Sequence, residues 1–261
     1  MFSTINESLE YFSFDIFKQT GLINAIFTRK GGVSPNPWYS LNQGGTTGDS
    51  RINVIENRYR AFNVLGLQVN SIFDVWQVHG IEPIIANKPR DLDTPHAKAD
   101  IIITNKPGVS LFMRFADCVP IFLFDKKHHV ISLVHAGWKG TVSQISKRAI
   151  EVMKTSFGTN VCDLLVGIGP CIGLDHFEVQ GDVLRRFKKI YNSSFDHIHQ
   201  SFDNHYHINL EQANLITLKE SGVEYIETAG LCTACDLSRW YSHRAENGKT
   251  GRFGALFSLP K

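Results

Sequence analysis

Three residues of this chain have side chains suited to holding a metal and occupy comparable places in the sequence: His79 in "VWQVHG", Cys118 in "FADCVP" and His135 in "SLVHAGW". Each comes at or just past the end of an apolar run and is followed within two residues by Gly or Pro. Strand ends are where a rigid scaffold meets solvent, so side chains from separate strands can converge there. Two imidazoles and a thiolate are good ligands for zinc or copper, and three protein ligands leave a position for water or substrate. Cys118 follows His79 by 39 residues and precedes His135 by 17. These intervals are too wide for a structural zinc knuckle and suit ligands assembled by folding. The competing reading is plain burial, since an unpaired cysteine is among the most buried residue types.

Other residues offer weaker chemistry. Cys118 could act as a thiol nucleophile with His135 as its base. Lys139, at the start of a helix, could hold an anion, although "GWKGT" lacks the spacing of a nucleotide-binding P-loop. "CTAC" (Cys232 to Cys235) is a lone C-x-x-C without a second half, read as a packed turn, with a redox role as the minority reading. Asp117 either orients a neighbour of Cys118 or caps a turn. His128, His129, His205 and His207 lie in polar, turn-like stretches and are read as solvated.

The elements that must position the trio follow from periodicity. "ADIIITN", "VSLFMRFAD", "VPIFLFD" and "HVISLVHAGW" are short β-branched and aromatic runs, apolar on both parities, which predicts central strands covered on both faces. "SIFDVWQVHG" suits a strand ending at His79. A helix opens at Asp49 or Ser50, with Ile52, Ile55, Tyr59 and Phe62 at helical spacing. "GTVSQISKRAIEVMKTSFG" predicts one amphipathic helix starting near Thr141 or Ser143, with Gly158 past its end. "DLLVGIGPCIG" and "GRFGALFSLP" read as strands, "GDVLRRFKKIY" and "NLEQANLITLKESGV" as helices, and residues 30–50 as a long irregular loop of the kind that is often functional. Strands and helices mix without regular alternation, so the fold class is α+β. Nothing divides the chain, which is read as a single domain, 1–261.

The bulk properties exclude several classes. With 43% hydrophobic and 20% charged residues the chain has material for a core and no disorder signature. A net charge of +2 without basic clusters argues against nucleic acid as a partner. No apolar run approaches the ~18 residues of a membrane span, and the N-terminus lacks the pattern of a signal peptide. A cytoplasmic location is expected, and five cysteines, an odd number, argue against a disulfide framework.

The ordered set "FTRKGGVS", "SLN", "QVHG", "ADC.P", "HAGWKGT", "GPCIG", "FEV", "CT.C" and "TGR" resembles the YfiH/YlmD family, whose members are labelled polyphenol oxidases, laccase-domain proteins or purine nucleoside phosphorylases. The likeness runs from about Phe27 to Phe257. It implies a layered α/β/β/α fold with mixed β-sheets, and zinc bound by His79, Cys118 and His135, with copper possible at the same ligands. Lys139 stands where relatives commonly carry Arg, which keeps the charge and loses bidentate geometry. Ser242 to Arg244 reads Ser-His-Arg where Ser-Tyr-Arg is more usual.

The resemblance further implies phosphorolysis of adenosine, inosine and methylthioadenosine, with adenosine deaminase activity beside it. A small nucleoside and phosphate would be the partners, and the oligomeric state is left open. Asn42 and Arg58, from the loop and helix preceding His79, are the candidates for the substrate shell, with loop capping and surface solvation as the competing reading. Two other classes remain. One is a copper-dependent, laccase-like polyphenol oxidase, against which stands the single His₂Cys set, too small for the several coppers of dioxygen reduction. The other is a cysteine hydrolase using Cys118 and His135, as in cell-wall precursor editing.

Overall fold

The computed structural model describes residues 1–6, 9–203 and 205–260; Glu7, Ser8, Asn204 and Lys261, which the expected 1–261 domain includes, lie outside the described residues. In chain order the first strands are β1 (Phe2–Asn6), β2 (Leu9–Ser13) and β3 (Ile23–Phe27), followed by helix α1 (Arg51–Asn63). Then come β4 (Ile72–Asp74), β5 (Pro83–Ile85), β6 (Ile101–Thr104), β7 (Ser110–Phe115), β8 (Val119–Asp125) and β9 (Val130–Ala136). Helices α2 (Trp138–Val142) and α3 (Ile145–Phe157) precede β10 (Leu164–Ile168) and β11 (Glu178–Val179). The chain closes with α4 (Gly181–Tyr191), β12 (His199–Phe202), β13 (His205–Ile208), α5 (Leu210–Glu220), β14 (Tyr225–Thr228) and β15 (Phe253–Ser258).

Two six-stranded mixed sheets dominate, ordered β1-β2-β3-β15-β7-β4 and β14-β10-β8-β9-β6-β5, with a small antiparallel sheet β11-β13-β12 beside them. In each large sheet the parallel pairs lie at the edges: β4 with β7 in one, β5 with β6 and β10 with β14 in the other. Strand alternation explains the layering. Phe122 and Phe124 of β8 join Leu111, Met113 and Phe115 of β7 and Phe253 and Phe257 of β15 in a core between the two sheets. Val119, Ile121 and Leu123, one residue out of phase on β8, join Ile150 and Met153 of α3 and Leu218 of α5 in a second core. On the far side Phe112 and Leu256 pack with Ala61 and Phe62 of α1. The result is the expected α/β/β/α stack. Both faces of the central strands are covered, which is why their sequences are apolar on both parities.

Two expectations about elements need correction. The run ending at His79 is a strand only over Ile72–Asp74; the chain then makes an isolated bridge, Trp76 to Lys98, and turns. The single helix expected after "HAGW" is two. Gln144 takes a left-handed backbone (φ 54°) between α2 and α3. Thr141 of α2 is held by Asn214 Nδ2 of α5 (3.0 Å) and accepts from the Tyr191 hydroxyl of α4 (3.3 Å), while α3 lies over the β-sheet core. The kink lets the two segments satisfy different neighbours. Finally, α1 buries Val54, Asn57, Ala61 and Phe62, whereas Ile52, Ile55 and Tyr59 are exposed. Most of the apolar stripe at helical spacing therefore points outward, and Ile55 and Tyr59 line the cavity described next.

Candidate active site

The trio that could hold a metal is built around one carboxylate. Asp100, fully buried just ahead of β6, receives the backbone N–H groups of Val78 (3.1 Å) and Gly80 (2.7 Å) on Oδ2, clamping the turn that carries His79. Its Oδ1 lies 2.7 Å from His135 Nδ1, and its carbonyl accepts the His135 N–H at 2.8 Å. One side chain therefore sets both histidines. With Nδ1 donating to a carboxylate, the tautomer that follows leaves His135 Nε2 free to ligate. His79 itself sits at φ 60°, a left-handed conformation uncommon outside glycine. Cys118 comes from the turn before β8, with Sγ 3.9 Å from His79 Nε2. The two imidazole rings lie edge to face with centroids 4.9 Å apart. The donor atoms of the trio all fall within 4.8 Å of one another.

Gly137 is part of this construction. A Cβ there would stand 2.9 Å from His79 Cδ2 and 3.1 Å from Cys118 Sγ, so the glycine of "HAGW" makes room for the ligands. Burial opposes ionisation of Cys118, but the His135 charge and the hydrogen bonds of His135 and His79 outweigh it and bring the thiol down to about 6. Burial likewise disfavours the His135 imidazolium; the Cys118 thiolate and the Asp100 hydrogen bond overcome that and raise it to about 9. A thiolate ready at neutral pH, two imidazoles and a carboxylate behind one of them form a donor set that fits zinc. Asp117 ties the site's loops together. Its Oδ1 accepts from Thr233 Oγ1 and its Oδ2 from the Arg244 N–H, both at 2.7 Å.

The trio lies on the wall of a cavity of about 1140 Å³. Tyr59, Trp76, Trp138 and Phe177 supply aromatic surface to it, and Arg51, Arg58, Arg90, Arg114, Arg244, Arg252 and Lys139 supply positive charge. Asp117 is the one carboxylate among the described lining residues. Behind the wall, buried Asp74 gathers Arg90 (2.7 Å), Arg114 (3.1 Å), Arg58 (3.4 Å) and His96 (3.0 Å). Three guanidiniums around one carboxylate leave an excess of two positive charges. Burial and the neighbouring Arg114 charge pull Arg58 down to about 10 despite Asp74.

Of the two substrate-shell candidates, Arg58 lines the cavity, with Nε (3.2 Å) and Nη2 (3.0 Å) both donating to the Gln43 carbonyl. Asn42 is placed differently. Fully buried, it spends Nδ2 on Thr47 Oγ1 and Asp49 Oδ2, and its Oδ1 accepts the N–H groups of Gly44 and Arg252. It organises the loop behind Gly44, Gly45 and Thr46, which do line the cavity. Lys139 and Arg244 of the Ser-His-Arg segment are also on the wall. Of the histidines read as solvated, His128 and His205 are exposed beside Asp125 (2.8 Å) and Glu178 (2.6 Å), whereas His207 is half-buried and bonded to the Leu174 carbonyl (3.1 Å).

Sequence reasoning missed Asp100, Asp74, Arg90, Arg114 and His96. A signal existed for two of them: Asp74 and Arg114 interrupt otherwise apolar runs, and a charge inside a buried strand demands a partner. It also missed His176, which meets the C-x-x-C turn.

Comparison with known proteins agrees with this architecture. Residues 23–260 match the family described as multi-copper polyphenol oxidoreductase laccase. The purine nucleoside phosphorylase YlmD of Bacillus subtilis is 32% identical over 246 residues, covering 91% of this chain and 88% of the relative. A purine nucleoside phosphorylase of Deinococcus radiodurans is 34% identical over 239 residues, covering 91% and 89%. Among solved structures, Bacillus licheniformis YfiH superposes with a TM-score of 0.91 at 27% identity, covering 97% of each chain. YlmD from Geobacillus stearothermophilus does so with 0.90 at 27% identity, covering 100% and 99%. The fold and the His₂Cys site define a layered α+β protein of the YfiH/YlmD kind. The chain belongs to the multi-copper polyphenol oxidoreductase laccase family, and relatives within it carry the name purine nucleoside phosphorylase.

Proposed function

We propose that residues 1–261 act as a single-domain, zinc-dependent purine nucleoside phosphorylase taking adenosine, inosine and methylthioadenosine, with adenosine deamination as a second activity. The observation that carries this reading is the joint placement, in one cavity, of the ligand trio and the Arg58, Arg90 and Arg114 cluster with its two uncompensated charges. A fixed excess of guanidinium charge suits a phosphate dianion. The names of the relatives point the same way.

In phosphorolysis a phosphate oxygen bonds to the ribose C1′ as the glycosidic C–N bond breaks. The purine leaves with the electron pair and takes a proton, giving free base and ribose 1-phosphate. The arginines hold the phosphate and spread its charge. Tyr59, Trp76 and Trp138 offer ring faces on which a purine stacks. His79, Cys118 and His135 would hold zinc, which supplies a Lewis acid and lowers the pKa of water. Asn42 acts through the loop it organises, and Arg58 through the phosphate.

The test is incubation of purified protein with adenosine, with and without phosphate. Adenine release should rise with phosphate, and inosine formation should not depend on it. Adenine release unchanged without phosphate would identify a nucleoside hydrolase instead. The Cys118 and His135 thiolate–imidazolium pair favours one second reading, a cysteine hydrolase; that activity would survive complete removal of metal, whereas nucleoside turnover would not. Copper in place of zinc, with turnover of phenols, would support the oxidase reading.

A further inference from the structure

Outside the cavity the structure brings together a second set of soft ligands. Cys232 and Cys235, in the turn that follows Leu231, both direct Sγ at Nδ1 of His176, each at 3.7 Å. His176 comes from a single turn of 3₁₀ helix, residues 174–176, on a different stretch of chain. The three donor atoms all lie within 4.8 Å of one another, and all three cysteine and histidine side chains are at least partly open to solvent.

We propose that His176, Cys232 and Cys235 form a second metal site, for zinc or a similarly thiophilic divalent cation, that fastens the rim of the cavity. A tetrahedral zinc with Zn–S near ~2.3 Å and Zn–N near ~2.0–2.1 Å separates sulfur from nitrogen by roughly 3.6 Å. Both observed separations match that spacing. Two thiolates and a neutral imidazole neutralise a divalent charge and leave one position for water. The Gly173 N–H donates to Cys232 Sγ at 3.1 Å, so a backbone donor already faces this sulfur. A Cβ at Gly173 would stand 3.1 Å from that same sulfur, so the segment approaches as closely as glycine permits. The other two cysteines lack such company. Cys171 is buried with its thiol toward the Ile172 carbonyl (3.7 Å), and exposed Cys162 belongs to neither ligand cluster.

The position of the site says what it would do. The turn it closes carries Thr233, bonded to Asp117 beside Cys118. The His176 carbonyl accepts from Arg244 Nη1 at 3.3 Å, and Arg244 lines the cavity. A metal joining residue 176 to residues 232 and 235 would hold both approaches to Asp117 and Arg244 in register. It takes no part in the reaction itself.

The test separates the two sites by using Cys118→Ser, which disables the first. Cys118→Ser protein, purified after zinc-supplemented growth, should retain one zinc per chain by elemental analysis, and Cys118→Ser/Cys235→Ser should retain none. Cobalt loaded into Cys118→Ser should show thiolate-to-metal charge-transfer absorption that is absent in the double variant. In wild-type protein, which needs no folding control, zinc should slow alkylation of Cys232 and Cys235 and a chelator should restore it. Metal-free Cys118→Ser protein with Cys232 and Cys235 alkylated equally fast with and without added zinc would overturn the proposal. So would a Cys232–Cys235 disulfide in protein prepared anaerobically with zinc.

Discussion

The two ligand clusters use the same donor types in opposite settings. His79, Cys118 and His135 converge from a turn, the start of β8 and the end of β9 onto a cavity wall, and a buried carboxylate, Asp100, holds the His135 imidazole and the backbone turn that carries His79. His176, Cys232 and Cys235 meet on the surface, where a backbone N–H rather than a carboxylate attends the sulfur. The first has an adjoining field of arginine charge and aromatic faces; the second has only the segments it joins. Donor chemistry alone therefore does not separate a reaction centre from a fastening. Support and surroundings do.

That contrast can be broken most directly at Cys118. Cys118→Ser should abolish zinc binding at the cavity and nucleoside turnover, a loss beyond the roughly 10–100-fold that follows removal of an outer partner; full activity in the zinc-free variant would end both the metal and the thiol roles. The charged wall comes next. Asp74→Asn leaves three guanidiniums without their shared carboxylate and should cost about 3–5 kcal/mol of stability, read by denaturant unfolding. The pH dependence follows from sign. Burial opposes ionisation of Asp74, but the His96 hydrogen bond and the Arg114 and Arg58 charges hold its pKa well below the ordinary value. Its contribution is complete above about pH 4, the unfolded value, and is lost as pH falls toward the native one. Wild type should lose stability over that acid range, and Asp74→Asn should show a smaller loss.

Asp100→Asn tests what the carboxylate adds to the first cluster. Metal affinity should fall roughly 10–100-fold, measured by competition with a chelator, and the second cluster should keep its metal. Arg58→Ala should be milder, raising the phosphate KM on the order of tenfold through loss of one charged contact, with deamination much less affected. Equal loss of both activities would place Arg58 on the nucleoside or the fold. Smallest of all, Cys235→Ser should lower thermal stability only slightly and leave zinc at the cavity. Loss of the cavity zinc in that variant would merge the two regions into one cooperative unit.

How much of this was legible beforehand depends on how local the physics is. The central strands were readable because a strand buried on both faces is near-continuously apolar, and β8 and β9 are buried at every position. The helices α3, α4 and α5 were readable from amphipathic periodicity. The trio was readable because ligand residue types stood where apolar runs give way to turns, and the family motifs agreed with it. The face of α1 was not readable: helical spacing names a stripe and cannot say whether that stripe meets core or cavity, and Ile55 and Tyr59 meet the cavity.

What the sequence by itself determined was the alternation of apolar runs and turns, hence the α+β class, and the residue types of the first cluster. Only the tertiary structure decided which distant groups meet. Asp100 reaches across 35 residues to His135, Arg58 and Arg90 reach Asp74 from opposite sides of it in sequence, and His176 closes on a turn 56 and 59 residues away. These encounters are set by strand register and loop path. No local pattern encodes them, because each partner satisfies its own neighbours equally well until the sheets bring the two together.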